Sequence, residues 1–185
     1  MSVTMADVGL LLLRLLVAFI LYAHATQKLR GWFRGPGLDG IAAVFTALGQ
    51  VPARPLAKLA AWCELSAALL IVVGFATPLG AAIGAGTMLV AGFAMSAKSG
   101  ALWNSLGGGE YPLTLAIMAI SFAFSGPGVI SLDSGLDLPW YGAGERAALI
   151  GLATVVLAIL AALPPIFRTV RVRRAAAENE VAATA

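Results

Sequence analysis

The sequence predicts an all-α fold, a polytopic membrane bundle with a four-helix core and a fifth transmembrane helix. Hydrophobic residues make up 60% of the 185-residue chain and charged residues only 11%, whereas soluble domains are about one-quarter charged. Long apolar stretches also recur, and about 20 helical residues are enough to cross the hydrocarbon core. The net charge of +3 is typical of the basic cytoplasmic loops of membrane proteins, so it gives no indication of nucleic-acid binding.

Five apolar segments are the candidate spans. They cover residues 8–27, 56–76, 78–97, 111–126 and 147–167. The second and third are separated by the short turn around Thr77-Pro78, which predicts an antiparallel hairpin. Pro112 suits the first turn of the fourth and shortest span, where its missing N–H is not needed.

The distribution of Lys and Arg predicts an N-terminus outside and a C-terminus in the cytoplasm of an inner membrane. With five spans, ten of the twelve basic residues fall on the cytoplasmic side. The corresponding organisation is a transmembrane core over residues 1–133, an extracytoplasmic connection with the fifth helix over 134–167, and a basic cytoplasmic tail over 168–185. The Ala- and Glu-containing part of that tail, after Arg174, is expected to be disordered.

The loop after the first span contains a short amphipathic segment. Asp39 is a candidate N-cap, Gly49 a candidate stop, and the apolar residues between them follow helical spacing. This pattern fits a helix at the membrane interface, and it fits equally a loop helix packed on the bundle.

Charged and polar residues inside the spans need partners, because a cation in hydrocarbon costs at least a few kcal/mol. Arg14 lies in the first span and Glu64 in the second. Helical rise places their backbones roughly 9 Å apart in depth, so extended side chains could nearly meet. Glu64 is also within comparable reach of His24, which makes it the expected hub between the two.

Further polar residues should lie near the cytoplasmic boundary. His24 and Lys28 are four residues apart and share a helix face. Three glycines, 107–109, precede Glu110 and Tyr111 and permit a close approach. The predicted polar pocket comprises Arg14, His24, Lys28, Glu64, Glu110 and Tyr111. Such a set could donate hydrogen bonds to a quinone and relay protons, or its members could simply satisfy one another and fix helix register.

Internal redox centres are limited by composition. The chain has one cysteine, Cys63, and one histidine, His24, so it can form neither an internal disulfide nor a bis-histidine haem site. No metal site and no covalently bound cofactor are expected. If the protein handles electrons, their carrier is a diffusible quinone or belongs to a partner.

Motifs along residues 8–133 resemble the DoxX family of small bacterial and archaeal membrane proteins. The resemblance rests on Arg14, His24 with Lys28, Gly31-Trp32-Phe33, Gly35-Pro36-Gly37-Leu38, Glu64, Gly74 with Thr77-Pro78, Gly107-Gly108-Gly109-Glu110-Tyr111-Pro112, Gly126-Pro127-Gly128 and Ser131-Leu132-Asp133. It implies a DoxX-like bundle of about four transmembrane helices. It also implies a link to redox chemistry, since some members are subunits of thiosulfate:quinone oxidoreductase. Ala25, where members often have glycine, and the fifth span depart from the family pattern.

These features are consistent with three functions. The first is a quinone-associated subunit of a membrane oxidoreductase complex, which leaves open whether the chain itself is catalytic. The second is a non-enzymatic anchor or scaffold for a soluble redox or stress-response partner. The third is a small transporter. Five spans are few for a transporter unless it forms a homo-oligomer. The expected partners are the lipid bilayer and a redox protein, with no nucleic acid.

Overall fold

A computed structural model describes residues 2–140 and 144–184, and their side chains except those of residues 180 and 184. The described residues form α-helices and two short 3-10 turns, at Trp32–Arg34 and Asn104–Leu106. The helices are α1 Met5–Arg30, α2 Gly37–Ala47, α3 Ala53–Val73, α4 Thr77–Ser99, α5 Glu110–Ser125, α6 Leu132–Gly135 and α7 Glu145–Thr184. The all-α fold is confirmed.

Four helices, α1, α3, α4 and α7, are long and apolar enough to cross a bilayer. The protein is thus a multi-pass membrane protein. The fifth candidate, α5, has 16 residues and rises only about 24 Å, less than the roughly 30 Å hydrocarbon core. A count of five spans therefore stays a prediction.

The contacts between helices show which helix ends lie together. Helix α1 packs on α3, α3 on α4, and α5 on both α4 and α7. Arg14 of α1 contacts the last turn of α3, whereas Lys28 contacts its middle. Helices α1 and α3 are therefore antiparallel. We call the two ends of the bundle the Arg14 end and the Lys28 end.

Local sequence sets the ends of α1. Thr4 and Asp7 form a reciprocal capping box at its start, which satisfies N–H groups that the helix leaves unpaired. Gly31, with φ of 71°, ends the helix in the left-handed conformation that glycine adopts without strain. The first helix is thus three residues longer at each end than the apolar segment 8–27.

Small residues form much of the core. Ala67, Ala85, Ala119 and Ala158 are buried from four different helices, and they let the helices approach closely. One close approach lies between α4 and the start of α5, where a Cβ on Gly109 would stand 2.0 Å from the carbonyl oxygen of Gly92. Gly109 therefore serves the packing of α5 against α4, whereas Gly108 packs against the loop at Leu102.

The outer surface of the bundle is apolar. Large side chains such as Leu12, Leu16 and Phe19 of α1 and Leu149 and Leu152 of α7 are exposed. A water-soluble protein rarely exposes so many in contiguous stretches, so this surface contacts lipid.

Two local expectations differ from the structure. Helix α2 begins at Gly37, so Asp39 lies inside its first turn and does not cap it. The tail after Arg174, expected to be disordered, continues α7 as helix to Thr184. Its repeated alanines have the highest helix propensity of any residue, which offsets the low hydrophobicity of the segment.

Candidate functional site

A buried ion pair joins α1 to α3 at the Lys28 end. The Lys28 ammonium donates to both carboxylate oxygens of Glu64, at 2.7 and 2.6 Å, and more weakly to the His24 carbonyl at 3.4 Å. Glu64 is only 2% exposed. Removing a carboxylate from water is costly, and the two short bonds from a cation offset that cost. Of His24, which shares a helix face with Lys28, it is thus the backbone carbonyl that contacts the ammonium.

The ion pair lies in the wall of a cavity of about 260 Å³. Apart from the pair, the walls are mainly apolar, with Cys63 and Thr87 as further polar groups and with Gln50 at one end. The volume is just below the roughly 300–1,000 Å³ of pockets that hold small organic ligands, so it suits a single compact ring. The cavity is a candidate binding site because it combines an apolar interior with one concentrated charge pair.

The cavity exists because the helices around it carry small side chains. Helix α3 contributes Ala60, α4 contributes Gly86 and Ala91, and α7 contributes Ala161. Pro165, which also lines the cavity, has no N–H to donate, so the Ala161 carbonyl lacks its usual helical partner. The site is therefore roomy beside Glu64 and offers an unpaired backbone acceptor on its α7 side.

One end of the cavity is closed by the loop between α2 and α3. Gln50 is 3% exposed, and its amide donates to the Pro165 carbonyl at 3.1 Å and to the Thr169 hydroxyl at 2.7 Å. Phe45 and Leu48 of the α2 segment line the cavity at the same end. The amphipathic segment thus packs on the bundle and forms part of the candidate site.

Arg14 lies elsewhere and has different partners. Its Nε donates to the Ile71 carbonyl at 2.9 Å, and its Nη2 donates to the Val72 carbonyl at 2.8 Å. Its Nη1 donates to the carbonyls of Pro127 and Ile130 at 2.9 and 2.7 Å. Arg14 is 1% exposed. The predicted Arg14–Glu64 pair is therefore wrong, because backbone carbonyls occupy four of the five guanidinium N–H groups and Lys28 occupies Glu64.

The carbonyls around Arg14 come from places where a helix leaves them free. Ile71 and Val72 are in the last turn of α3, whose final carbonyls have no helical donor and carry the negative end of the helix dipole. Gly74, which ends α3 at φ of 63°, lies so close that a Cβ there would be 2.5 Å from the Arg14 Nη2. Arg14 is thus a capping residue that ties α1 to α3 and to residues 127–130.

Asp133 completes the Arg14 end. It is fully buried, and its carboxylate accepts from the backbone N–H groups of Ala76 and Thr77, at 2.7 and 3.0 Å. Its own N–H donates to the Gly74 carbonyl at 2.8 Å. Asp7 binds the same connecting segment by accepting from the Val129 N–H at 2.9 Å. At this end the charged side chains are held by backbone groups, while the buried Thr77 hydroxyl has no hydrogen-bond partner among the described residues.

The remaining predicted pocket residues lie outside the cavity. The His24 and Tyr111 rings contact each other, with centroids 5.9 Å apart. Glu110 accepts from the Asn104 N–H at 3.0 Å and so holds the loop before α5. Of the six predicted residues, only Lys28 and Glu64 line the cavity, while His24 contributes its carbonyl to Lys28.

Several residues of the site had no obvious signal in the sequence. Gln50 and Thr87 are ordinary polar residues, and Cys63 is a lone cysteine outside any motif. The small residues opposite Glu64 are the one pattern that could have indicated space beside it. Within the described part of the chain, no three His, Cys, Asp or Glu side chains lie close enough to hold a metal ion.

Comparison with known proteins gives one family. A family model described as DoxX matches residues 9–97, which include α2, α3 and most of α1 and α4. The match thus contains Arg14 and both members of the Lys28–Glu64 pair. No curated protein and no solved structure matches the chain.

Proposed function

The chain belongs to the DoxX family through residues 9–97, and from this premise we propose that it is a quinone-associated subunit of an oxidoreductase complex in a bacterial inner membrane. The observation that carries the proposal is the Lys28–Glu64 ion pair in the wall of an apolar cavity. A buried ionisable pair within a membrane bundle is costly, and beside a cavity it marks a candidate binding site.

The cavity fits the chemistry of a quinone head group. The ring is compact and apolar at its faces, so it suits walls formed by Ala60, Ala91 and Leu59. A quinone carbonyl needs a donor, and Lys28 is the cation among the described residues that line the cavity. The positive charge of Lys28 would also stabilise negative charge that develops on that oxygen.

Reduction of a quinone to a quinol takes up two electrons and two protons. The electrons would come from a redox partner protein, since the chain has one cysteine and one histidine for cofactor binding. Lys28 can donate a proton to the bound ring while Glu64 holds the ammonium in place. Glu64 would then take up a proton from water and pass it to the neutral Lys28 amine, and a second turn of the same relay would supply the second proton.

Quinone binding tests the proposal directly. We expect saturable binding of a short-chain ubiquinone or menaquinone analogue to the purified protein, measured by calorimetric titration in detergent. Glu64→Gln and Lys28→Met should each weaken binding by about tenfold or more, because each removes a charged hydrogen-bond partner. Asp39→Asn is the matched control, since it breaks the exposed Asp39–Arg54 pair.

A cavity-filling variant distinguishes loss of quinone binding from loss of protein stability. Ala91→Leu should abolish quinone binding while the thermal midpoint of the protein stays the same or rises, because the added side chain occupies existing space. Absence of saturable binding in the wild type, or unchanged affinity in all three site variants, would overturn the proposal.

A specific observation also favours the scaffold function. Helix α7 has 40 residues, a length of roughly 60 Å and about twice the hydrocarbon thickness. Thr169 is the last buried residue described in it, and Arg171, Arg173 and Arg174 follow. With the proposed cytoplasmic C-terminus, this basic extension would dock a soluble redox partner.

Affinity purification in mild detergent distinguishes the two functions. A stoichiometric partner that is retained by Glu64→Gln but lost on deletion of residues 171–184 would support the scaffold function. Loss of the partner in Glu64→Gln would instead support the quinone-associated subunit.

A further inference from the structure

A second concave surface lies at the Lys28 end, on the side of α1 and α3 that faces lipid. It is a groove of about 610 Å³ between these helices and the turn at Trp32. Trp32 and Trp62 are 48% and 57% exposed, so the groove opens outward. It shares none of its lining residues with the cavity beside Glu64.

The groove is formed by a chain segment that folds back along α1. Phe33 packs edge-on against Phe19 and Tyr22, with ring centroids 6.1 and 6.5 Å apart. Gly35 lies against α1 so closely that a Cβ would be 2.5 Å from the Gln27 Cα. These contacts fix the turn and hold Trp32 as one wall of the groove.

Most polar groups of the groove are donors; Thr26, which also lines it, gives its hydroxyl proton to backbone carbonyls of α1. Arg30 stands with its guanidinium 5.8 Å from the Trp32 ring centroid, and within the described chain it has no carboxylate partner. The indoles of Trp32 and Trp62 and the Tyr22 hydroxyl add neutral donors. No acidic residue is among those that line the groove. An anion is therefore the matching ligand at this end.

The apolar part of the groove extends away from Arg30. Tyr22 lies two helical turns, about 12 Å, before Arg30 on α1, and Trp62 with Leu65 forms the opposite wall. A ligand with its anionic group at Arg30 would thus place its next 12 Å along aromatic and aliphatic side chains. Tryptophan at this level is typical of the boundary between head groups and hydrocarbon.

We propose that this groove binds an anionic phospholipid, with the phosphate at Arg30 and an acyl chain along Trp62 and Leu65. Arg30 supplies a forked set of donors for phosphate oxygens, and its position over Trp32 orients that fork. The site is independent of quinone binding, because it uses the lipid-facing side of α1 and not the cavity.

Lipid retention measured by native mass spectrometry tests the proposal. Protein from mixed micelles with equal phosphatidylglycerol and phosphatidylcholine should retain phosphatidylglycerol preferentially. Arg30→Gln should lower that preference by about fivefold, which corresponds to one interfacial charge, whereas Arg30→Lys should lower it less. Arg54→Gln is the control, because Arg54 is an exposed arginine outside the groove.

A variant in the apolar wall tests the proposed contact with the acyl chain. Trp62→Ala should weaken retention of both lipids, since it removes the apolar wall and leaves Arg30 in place. Free glycerol phosphate should not compete. Equal loss in Arg30→Gln and Arg54→Gln would show diffuse surface charge and overturn the proposal, as would a wild type that has no lipid preference or competition by glycerol phosphate.

Discussion

Arg14 and Lys28 are both cations on α1, and the bundle surrounds them in different ways. Arg14 donates to four backbone carbonyls of two chain segments, and every one of these contacts is made to a fixed main-chain atom. Lys28 binds one carboxylate side chain, and both members of the pair lie in the wall of a cavity.

The difference separates a structural charge from a candidate functional one. At Arg14 the donors are used in the helix cap, and Gly74 leaves no space beside the guanidinium. At Lys28 the partner is a titratable group with open space beside it, so a ligand could compete for the same donor. Burial alone does not identify a site, since Arg14 and Glu64 are buried to the same degree.

The largest effect is expected at Arg14. Arg14→Gln should cost about 3–5 kcal/mol, because it leaves buried backbone carbonyls without donors, at roughly 1–3 kcal/mol each. Arg14→Lys should also be strongly destabilised, since an ammonium has three donors and no planar fork. Thermal unfolding in detergent, followed by size-exclusion chromatography, measures both. A lysine variant as stable as the wild type would show that charge, and not the four-carbonyl geometry, holds this end.

The next effect is expected at the ion pair. Glu64→Gln and Lys28→Met should each cost about 2–3 kcal/mol, because each leaves its partner without a counter-charge in a largely buried place. The double variant should cost less than the two together, with a coupling energy of about 1–3 kcal/mol.

The exposed Asp39–Arg54 pair is the matched control for this cycle. Asp39→Asn and Arg54→Gln should couple by less than about 1 kcal/mol, since solvent screens the pair. The same thermal measurement applies to both cycles. Equal coupling in the two pairs would mean that burial adds nothing to the Lys28–Glu64 contact.

A smaller difference is expected between two glycines that end helices. Gly74 and Gly100 have φ of 63° and 71°, so alanine is strained by about 1 kcal/mol at either. Gly100 has nothing within 4 Å of an added Cβ, whereas at Gly74 the Cβ would meet the Arg14 guanidinium. Gly74→Ala should therefore cost about 2–3 kcal/mol in all. Similar losses of thermal stability at the two positions would show that contact with Arg14 adds nothing to the cost at Gly74.

The sequence predicted the fold better than it predicted the side-chain contacts. Apolar length was enough to place the helices, because it follows directly from the lipid environment. The hairpin at Thr77-Pro78 and the start of α5 near Pro112 also agree with the structure. Gly80 and Gly84 of α4 pack against α3 and α1, within the chain.

The partner of Arg14 could not be predicted by matching opposite charges. Its acceptors are carbonyls, which every residue carries, so the identities of Ile71 and Pro127 hold no signal. The relevant cue was the position of the glycine after α3, because helix ends expose unpaired carbonyls. For Glu64, helical depth alone does not separate His24 and Arg14 from Lys28, whose long side chain reaches the carboxylate from one turn beyond His24.

The carbonyl acceptors of Arg14 also have a consequence for biosynthesis. Two of them, on Pro127 and Ile130, emerge from the ribosome 113 and 116 residues after the arginine itself. At the usual speed of translation this delay is on the order of ten seconds. Through that interval the guanidinium lacks two of its four acceptors, and an unpaired cation in hydrocarbon costs a few kcal/mol. We therefore expect the nascent first helix to stay beside water or the insertion machinery until the later segments arrive.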